Sequence, residues 1–179
     1  MSAQGQIILL HGASSSGKST LAKALQAASP TPLLHLSIDH LRDSETLPDQ
    51  ALKTGRFQWA DMRAQVFDGF HRALSAYASA GNNLIVEHIL DTAGWLDELQ
   101  SLLRPFDVLF VGIHTPLAAL NARETARGDR SKGSAAEDFA HIHDGLAYDI
   151  EVDGTAPATY NAQRILDHWQ SGTRKSDFA

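Results

Sequence analysis

The stretch Gly12-Ala13-Ser14-Ser15-Ser16-Gly17-Lys18-Ser19 directly follows the apolar run Ile7-Ile8-Leu9-Leu10 and fits the pattern G-x-x-x-x-G-K-[ST]. In this pattern the glycines let the backbone fold around phosphates, the lysine reaches the β- and γ-phosphates, and the serine hydroxyl serves Mg²⁺. A helix that starts here, with Thr20 in its first turn, adds free N–H groups and the positive end of its dipole. The stretch therefore predicts a nucleoside triphosphate site with Mg²⁺. A glycine- and serine-rich loop without a ligand is the alternative.

Length and composition limit the classes of protein to which this chain can belong. Its 179 residues, 43% of them hydrophobic and 20% charged, suffice for one compact domain with a buried core. A net charge of −6 argues against nucleic acid as a partner, and no apolar run is long enough to span a membrane. The first residues lack the pattern of a signal peptide, and cysteine is absent. We therefore expect one domain over residues 1–179, located in the cytoplasm, and leave open whether it forms a homo-oligomer.

Short apolar runs alternate with helical patterns along the chain, as in proteins with a parallel sheet flanked by helices. The runs predict strands at 6–11, 33–37, 83–89, 107–113 and 149–153. The patterns predict helices at 18–28, 59–80, 93–103, 116–127, 135–145 and 157–170, with an irregular stretch at 42–58. The expected fold is a three-layer α/β fold with a central parallel five-stranded sheet.

Asp39 follows the second predicted strand, in Leu36-Ser37-Ile38-Asp39-His40-Leu41. Ligands of parallel α/β sheets bind beyond the carboxyl ends of the strands, so a carboxylate at this position would face the transferable phosphate. There it can accept the proton of an attacking hydroxyl group. We therefore expect Asp39 to be a general base. Its alternative role is to cap a helix that begins near His40.

The third predicted strand ends in polar residues, namely Glu87 and His88, with Asp91 three residues further on. Enzymes with a phosphate loop often have an acidic residue here that helps to hold Mg²⁺. We expect Glu87 to form the metal site together with Ser19, although an apolar strand that closes on an acid is also an ordinary strand end. His88 could equally be a hydrogen-bonded structural residue, and Asp91 could cap the next helix.

Three arginines stand at spacings of four and three residues, Arg123, Arg127 and Arg130, where a predicted helix runs into a loop. Guanidinium groups suit phosphates, and a loop that carries them can close over a nucleotide and stabilise transition-state charge. We expect Arg123 and Arg127 to bind the nucleotide and Arg127 and Arg130 to act in catalysis, on a small mobile lid at about 128–135. A solvated face that complements the end of the helix is the alternative.

Several of these features occur in an order that resembles the chloramphenicol phosphotransferase-like proteins. They are the phosphate loop, Asp39, the run Glu124-Thr125-Ala126-Arg127-Gly128-Asp129-Arg130 and the run Tyr148-Asp149-Ile150-Glu151-Val152-Asp153. The resemblance spans nearly the whole chain and implies an adenylate-kinase-like core, ATP with Mg²⁺, and transfer of the γ-phosphate to a hydroxyl of a small molecule. It also implies that Asp39 is the base, that Lys18 is the loop lysine, and that Arg127 and Arg130 are the lid arginines.

The acceptor end of the chain differs from the antibiotic kinase of that family, which has two consecutive aspartates where this chain has Glu87-His88. We expect an O-phosphotransferase that acts on a small-molecule hydroxyl, with antibiotics among the candidate acceptors. A toxin-like kinase of a nucleotide sugar or macromolecule and a nucleotide-binding switch without acceptor chemistry are the alternatives. A closed apolar pocket behind Asp39 would favour the first function, a wide groove the second, and an Asp39 turned away from the crevice the third.

Overall fold

The protein is built around a five-stranded, all-parallel sheet, as described by a computed structural model for residues 4–127 and 134–179. The strands lie in the order β2-β3-β1-β4-β5 across the sheet. Their bounds are β1 Ile7–His11, β2 Leu34–Ser37, β3 Leu84–His88, β4 Val108–His114 and β5 Ile150–Asp153. The register pairs Ser37 of β2 and Leu10 of β1 with Glu87 of β3, so these carboxyl ends meet at one edge of the sheet.

Helices connect the strands and cover both faces of the sheet. Their bounds are α1 Lys18–Ala28, α2 Ile38–Asp43, α3 Asp49–Lys53, α4 Trp59–Ser79, α5 Trp95–Leu103, α6 Leu117–Arg127, α7 Ser134–His141 and α8 Ala158–Ser171. The three connections that leave the carboxyl ends of β1, β2 and β3 surround the same edge of the sheet. This arrangement places the sequence from 12 to 19 beside the loops that follow the neighbouring strands.

Two apolar layers sandwich the sheet because its strands are apolar on both faces. Alternate strand residues pack on α4 and α5 on one side, and the intervening residues pack on α1 and α8 on the other. The first layer includes Ile7, Leu9, Val86, Phe110, Leu74 and Leu99, and the second includes Ile8, Leu10, Ile85, Val111, Leu25 and Ile165. The layered architecture therefore follows from the apolar runs of the three central strands β1, β3 and β4.

The predicted three-layer fold with a parallel five-stranded sheet is confirmed. One local expectation was wrong. The stretch 42–58 is not irregular throughout, because α2 ends within it and α3 lies inside it. The second strand ends at Ser37, as predicted, and Asp39 follows it in the first turn of α2. Of the predicted lid at 128–135, residues 128–133 lie outside the described residues, and 134–135 begin α7.

Candidate active site

The loop between β1 and α1 folds around the side chain of Lys18. The ammonium group donates to the carbonyl oxygens of Gly12 at 2.6 Å and Ala13 at 2.8 Å, and the side chain is buried. Gly17 has a φ of +104°, in the left-handed region that glycine adopts without strain, and it immediately precedes α1. The backbone therefore has the tight curvature that the glycine pattern predicts, with the start of a helix at its end.

Arg123 fastens this loop to the connection between β5 and α8. Its guanidinium donates to the carbonyl oxygens of Ser15 at 3.3 Å, Ser16 at 3.1 Å and Gly154 at 2.8 Å. Thr115 donates its hydroxyl to the same Ser16 oxygen at 3.0 Å, and a Cβ at Gly154 would lie 2.0 Å from that hydroxyl oxygen. Nucleotide binding by Arg123 stays a prediction, because its observed partners are backbone carbonyl oxygens and the contacts hold the loop in place.

An acidic side chain from another part of the chain contacts the phosphate loop. The backbone N–H of Ser14 donates to Oδ2 of Asp138, in α7, at 2.8 Å. This N–H belongs to the part of the loop whose amides bind phosphate in proteins of this pattern. Because the loop already holds a carboxylate oxygen at hydrogen-bond distance, it fits an anionic ligand.

The carboxylate of Glu87 lies beside the loop and is engaged at both oxygens. The Ser19 hydroxyl donates to Oε2 at 3.0 Å, and Nε2 of His35 donates to Oε1 at 2.6 Å. Burial alone raises the pKa of Glu87, but the hydrogen bond from His35 and the positive charge of Lys18 outweigh burial and place the pKa below its usual value. An ionised carboxylate next to a hydroxyl is a donor set that suits a hard cation such as Mg²⁺.

That donor set also fits the way in which Mg²⁺ is bound. Within 4–127 and 134–179, no group of three or more His, Asp or Glu side chains could hold a metal. Mg²⁺ usually keeps several waters and takes one or two protein oxygens together with substrate phosphates, so Ser19 and Glu87 beside a phosphate loop match its needs.

Asp39 lies in the first turn of α2 and does not cap that helix. Ser37 caps the helix, because its hydroxyl accepts the N–H of Asp39 at 3.2 Å. Nη1 of Arg42 donates to Oδ1 of Asp39 at 3.0 Å. Asp39 lines the same cavity as Lys18 and Ser19, which is the placement that a base for an acceptor hydroxyl requires.

The cavity beyond the sheet edge has a volume of about 1600 Å³, more than the 300–1000 Å³ usual for one small ligand. One end is formed by the phosphate loop and by residues 154–161. The other end, on the side of β2 and β3, is lined by apolar side chains of the 47–67 and 89–96 segments, namely Leu47, Leu52, Trp59, Phe67, Leu90 and Leu96. The cavity therefore has room for a nucleotide and a second molecule side by side.

Arg63 and Asp91 form a charge pair on the wall of the second end. Nη2 of Arg63 donates to both carboxylate oxygens of Asp91 at 2.6 and 2.8 Å, and Nη1 donates to the Thr92 hydroxyl at 2.8 Å. The guanidinium also lies over the rings of Phe67 and Trp95, 5.0 and 4.5 Å from their centroids. The expectation that Asp91 caps the next helix was wrong, because α5 begins after Gly94.

His88 belongs to a buried histidine pair. The N–H of Leu90 donates to its Nδ1 at 2.9 Å, so Nε2 carries the proton and donates to Nε2 of His71, also at 2.9 Å. Nδ1 of His71 then faces Oε1 of Glu98 at 3.1 Å. Burial, followed by the neighbouring His71, lowers the pKa of His88 well below its usual value. Both ring nitrogens of His88 are used within the protein, which supports the structural role considered from the sequence.

The structure brings together the predicted residues Lys18, Ser19, Thr20, Asp39 and Glu87 at one cavity. Arg127 is the last residue of α6, and Arg130 lies outside the described residues, so their predicted roles stay predictions. Sequence reasoning missed His35, Arg42, Arg63 and Asp138. Arg42 could have been found from its three-residue spacing to Asp39 on a helix, whereas the others meet partners 28 to 124 positions away.

Comparison with known proteins identifies the family. Residues 5–170 match the family described as "Chloramphenicol phosphotransferase-like protein". The chain belongs to the chloramphenicol phosphotransferase-like family. A relative from Mycobacterium tuberculosis strain H37Rv, named as a candidate O-phosphotransferase, is 28% identical over an alignment of 182 positions that covers 91% of this chain and 81% of the relative. The resemblance read from the phosphate loop and the 124–130 and 148–153 runs is thereby confirmed.

Solved kinase structures share the fold of this chloramphenicol phosphotransferase-like protein. The APS kinase of M. tuberculosis, solved with AMPPNP and APS, is 20% identical with a TM-score of 0.68 over 94% of this chain and 99% of that one. A gluconokinase from Sinorhizobium meliloti 1021 is 16% identical with a TM-score of 0.62 over 96% and 94% of the two chains. Family and fold together make the protein a kinase-type phosphotransferase.

None of the helices in the described ranges is long and apolar enough to cross a membrane.

Proposed function

We propose that this protein transfers the γ-phosphate of ATP to a hydroxyl group of a small, uncharged molecule with an apolar body. The observation that supports this most is that Lys18, Ser19 and Asp39 line one cavity. A phosphate loop at one end and a carboxylate at the other are the two parts that a hydroxyl kinase needs. An Asp39 turned away from the crevice would have favoured a nucleotide switch without acceptor chemistry.

The proposed step is an in-line displacement at the γ-phosphorus. The acceptor oxygen forms a bond to phosphorus, the bond to the β–γ bridging oxygen breaks, ADP leaves, and Asp39 takes the hydroxyl proton. Lys18 and the loop amides stabilise the negative charge of the transferring group, and Arg127 and Arg130 are proposed to add to this from the 127–130 segment. Mg²⁺, held at Ser19 and Glu87, would neutralise charge on the phosphate oxygens.

The wall of the acceptor end favours a neutral molecule. The positive charges of Arg42 and Arg63 are already matched by Asp39 and Asp91. The other charged side chains at this end include Asp43 and Asp49 as well as Lys53. A nucleotide sugar would bring further negative charge toward these carboxylates, whereas an apolar body would pack on Trp59 and the leucines behind Asp39. Hydroxyl-bearing antibiotics, including chloramphenicol, belong to the class that fits.

The test is acceptor-dependent ADP release by the purified protein with ATP and Mg²⁺, across a panel of neutral hydroxyl-bearing antibiotics and metabolites. Lys18→Ala should abolish turnover, and Asp39→Asn should lower kcat by about 10²-fold or more while ATP binding stays nearly intact. Asp68→Asn, at an exposed carboxylate of α4 that does not line the cavity, is the control and should keep its turnover. Equal turnover in wild type and Asp39→Asn would remove Asp39 from the role of base.

A single domain over 1–179, a cytoplasmic location and the lack of a nucleic-acid partner stay predictions from the sequence.

A further inference from the structure

His35 lies in the short strand β2, and its side chain is only 8% exposed. In the register of the sheet, His35 lies opposite Ile85 of β3, and Glu87 is two residues further along the same face. This diagonal relation lets a long side chain reach its neighbour across the strands. The ring of His35 thereby meets the Glu87 carboxylate at 2.6 Å.

The contact constrains the carboxylate of Glu87 at the oxygen that Ser19 does not use. Nε2 of His35 must carry the proton, since a carboxylate oxygen can only accept. Oε2 of the same carboxylate accepts the hydroxyl proton of Ser19. With its proton directed to Glu87, the Ser19 hydroxyl keeps its oxygen lone pairs for another partner. The orientation of Ser19 therefore depends on Glu87, and that of Glu87 depends on His35.

We propose that His35 is a positioning residue for the metal end of the site: it fixes the Glu87 carboxylate so that the Ser19 oxygen is presented to Mg²⁺ beside the nucleotide phosphates. This rests on the proposed function, which supplies the nucleotide and the metal. Partners that orient the groups around a metal commonly change its affinity 10- to 100-fold when they are removed. His35 touches neither phosphate loop nor acceptor in this role and acts through Glu87 alone.

The ring of His40 offers a matched control. It packs edge-on against the ring of His35, with centroids 4.5 Å apart, and it is the residue after Asp39 in α2. His40 thus contacts the ring of His35 from α2. The Glu87 oxygens have His35 and Ser19 as their hydrogen-bond partners. A change at His40 perturbs the neighbourhood and leaves the proposed contact in place.

The experiment measures ATP binding by calorimetry at stepped Mg²⁺ concentrations, and again with a chelator in place of Mg²⁺. His35→Gln keeps an N–H donor near the position of Nε2, whereas His35→Asn is polar but too short to reach Glu87. We expect the Mg²⁺ concentration for half-maximal enhancement of ATP binding to rise about 10-fold or more in His35→Asn. It should stay within about threefold of wild type in His35→Gln and His40→Gln, and metal-free ATP binding should be alike in all four proteins.

Two results would contradict the proposal in different ways. Wild-type protein whose ATP binding does not respond to Mg²⁺ contradicts a metal site at Ser19 and Glu87, and the role of His35 falls with it. The proposed phosphoryl transfer fails separately, if no acceptor stimulates ADP release. A wild-type protein that responds to Mg²⁺, with His35→Asn responding at the same concentration, overturns the role of His35 alone. Circular dichroism and a thermal unfolding curve for each variant show whether a loss of Mg²⁺ response comes from unfolding. Both variants place a polar amide at position 35. A difference between His35→Gln and His35→Asn therefore reports whether the side chain is long enough to contact Glu87.

Discussion

Lowering the pH from 7 to 5 should destabilise the protein through His11, the last residue of β1. The ring is fully buried, with Nε2 donating to the carbonyl oxygen of Ile89 and Nδ1 accepting from the hydroxyl of Tyr148, both at 2.8 Å. A second proton would place an uncompensated charge in the interior and would oppose the hydroxyl proton that Tyr148 directs at Nδ1. Burial lowers the pKa of His11 to about 3, although the bond to Ile89 opposes the shift.

The sign and size of the effect follow from this pKa. The unfolded chain titrates at His11 near 6.5 and the folded one near 3, so the unfolded state binds more protons between these values and stability falls as the pH falls. At pH 5, roughly 1.5 pH units below the unfolded value, the loss is about 2 kcal/mol from this residue. The pKa values of His71 and His88 are lowered as well, so these residues act in the same direction.

Urea unfolding at pH 7, 6 and 5, followed by tryptophan fluorescence at constant ionic strength, measures the effect. His11→Gln keeps a donor toward Ile89 and cannot titrate, so its free energy of unfolding should depend on pH less than that of wild type by about 2 kcal/mol between pH 7 and 5. His141→Gln, at an exposed ring paired with Asp144, is the control and should behave as wild type. The same pH dependence in His11→Gln and wild type would show that His11 is not the titrating group.

Two further predictions concern the nucleotide end. The Asp138→Asn variant should bind ATP roughly fivefold more tightly, because a negative charge near the Ser14 amide weakens the binding of a phosphate by about 1 kcal/mol. Calorimetry measures the ATP affinity, with Asp144→Asn, at an exposed carboxylate, as the control. Unchanged or weaker ATP binding by Asp138→Asn would contradict the prediction. Arg127→Ala and Arg130→Ala should each lower kcat. The loss of transition-state stabilisation should be about 2–4 kcal/mol at most for each variant. Steady-state rates equal to wild type in both arginine variants would remove the lid role.

The strands and helices of the core could be predicted to within about two residues because their sequences are unambiguous. Uninterrupted apolar runs such as 7–10 and 108–111 have few alternatives to a buried strand. The failures are local and involve short polar segments. α2 begins at Ile38 because the Ser37 hydroxyl accepts the N–H of Asp39, and a Ser-x-Asp sequence at the end of a strand could as well have been a turn.

Site residues could be predicted only where they belong to one contiguous sequence motif. The phosphate loop requires its residues to be adjacent in sequence, so Lys18 and Ser19 were found directly. The contact of His35 with Glu87 depends on the pairing of β2 with β3, and that of Arg63 with Asp91 depends on how α4 packs beside the loop after β3. A sequence does not display strand register or helix packing, so a histidine within an apolar run carried no functional signal.

Transfer of the phosphoryl group to an organic hydroxyl can be followed with ATP labelled in the γ-phosphate, in the presence of Mg²⁺ and each acceptor of the neutral panel, by separating the labelled products. We expect label in an organic phosphate ester formed from one of the acceptors, and we expect Asp39→Asn to lose this product while it still binds ATP. Label that stays in ATP or appears only in inorganic phosphate, with ATP bound and every acceptor present, would show that the protein does not transfer the phosphoryl group to these acceptors.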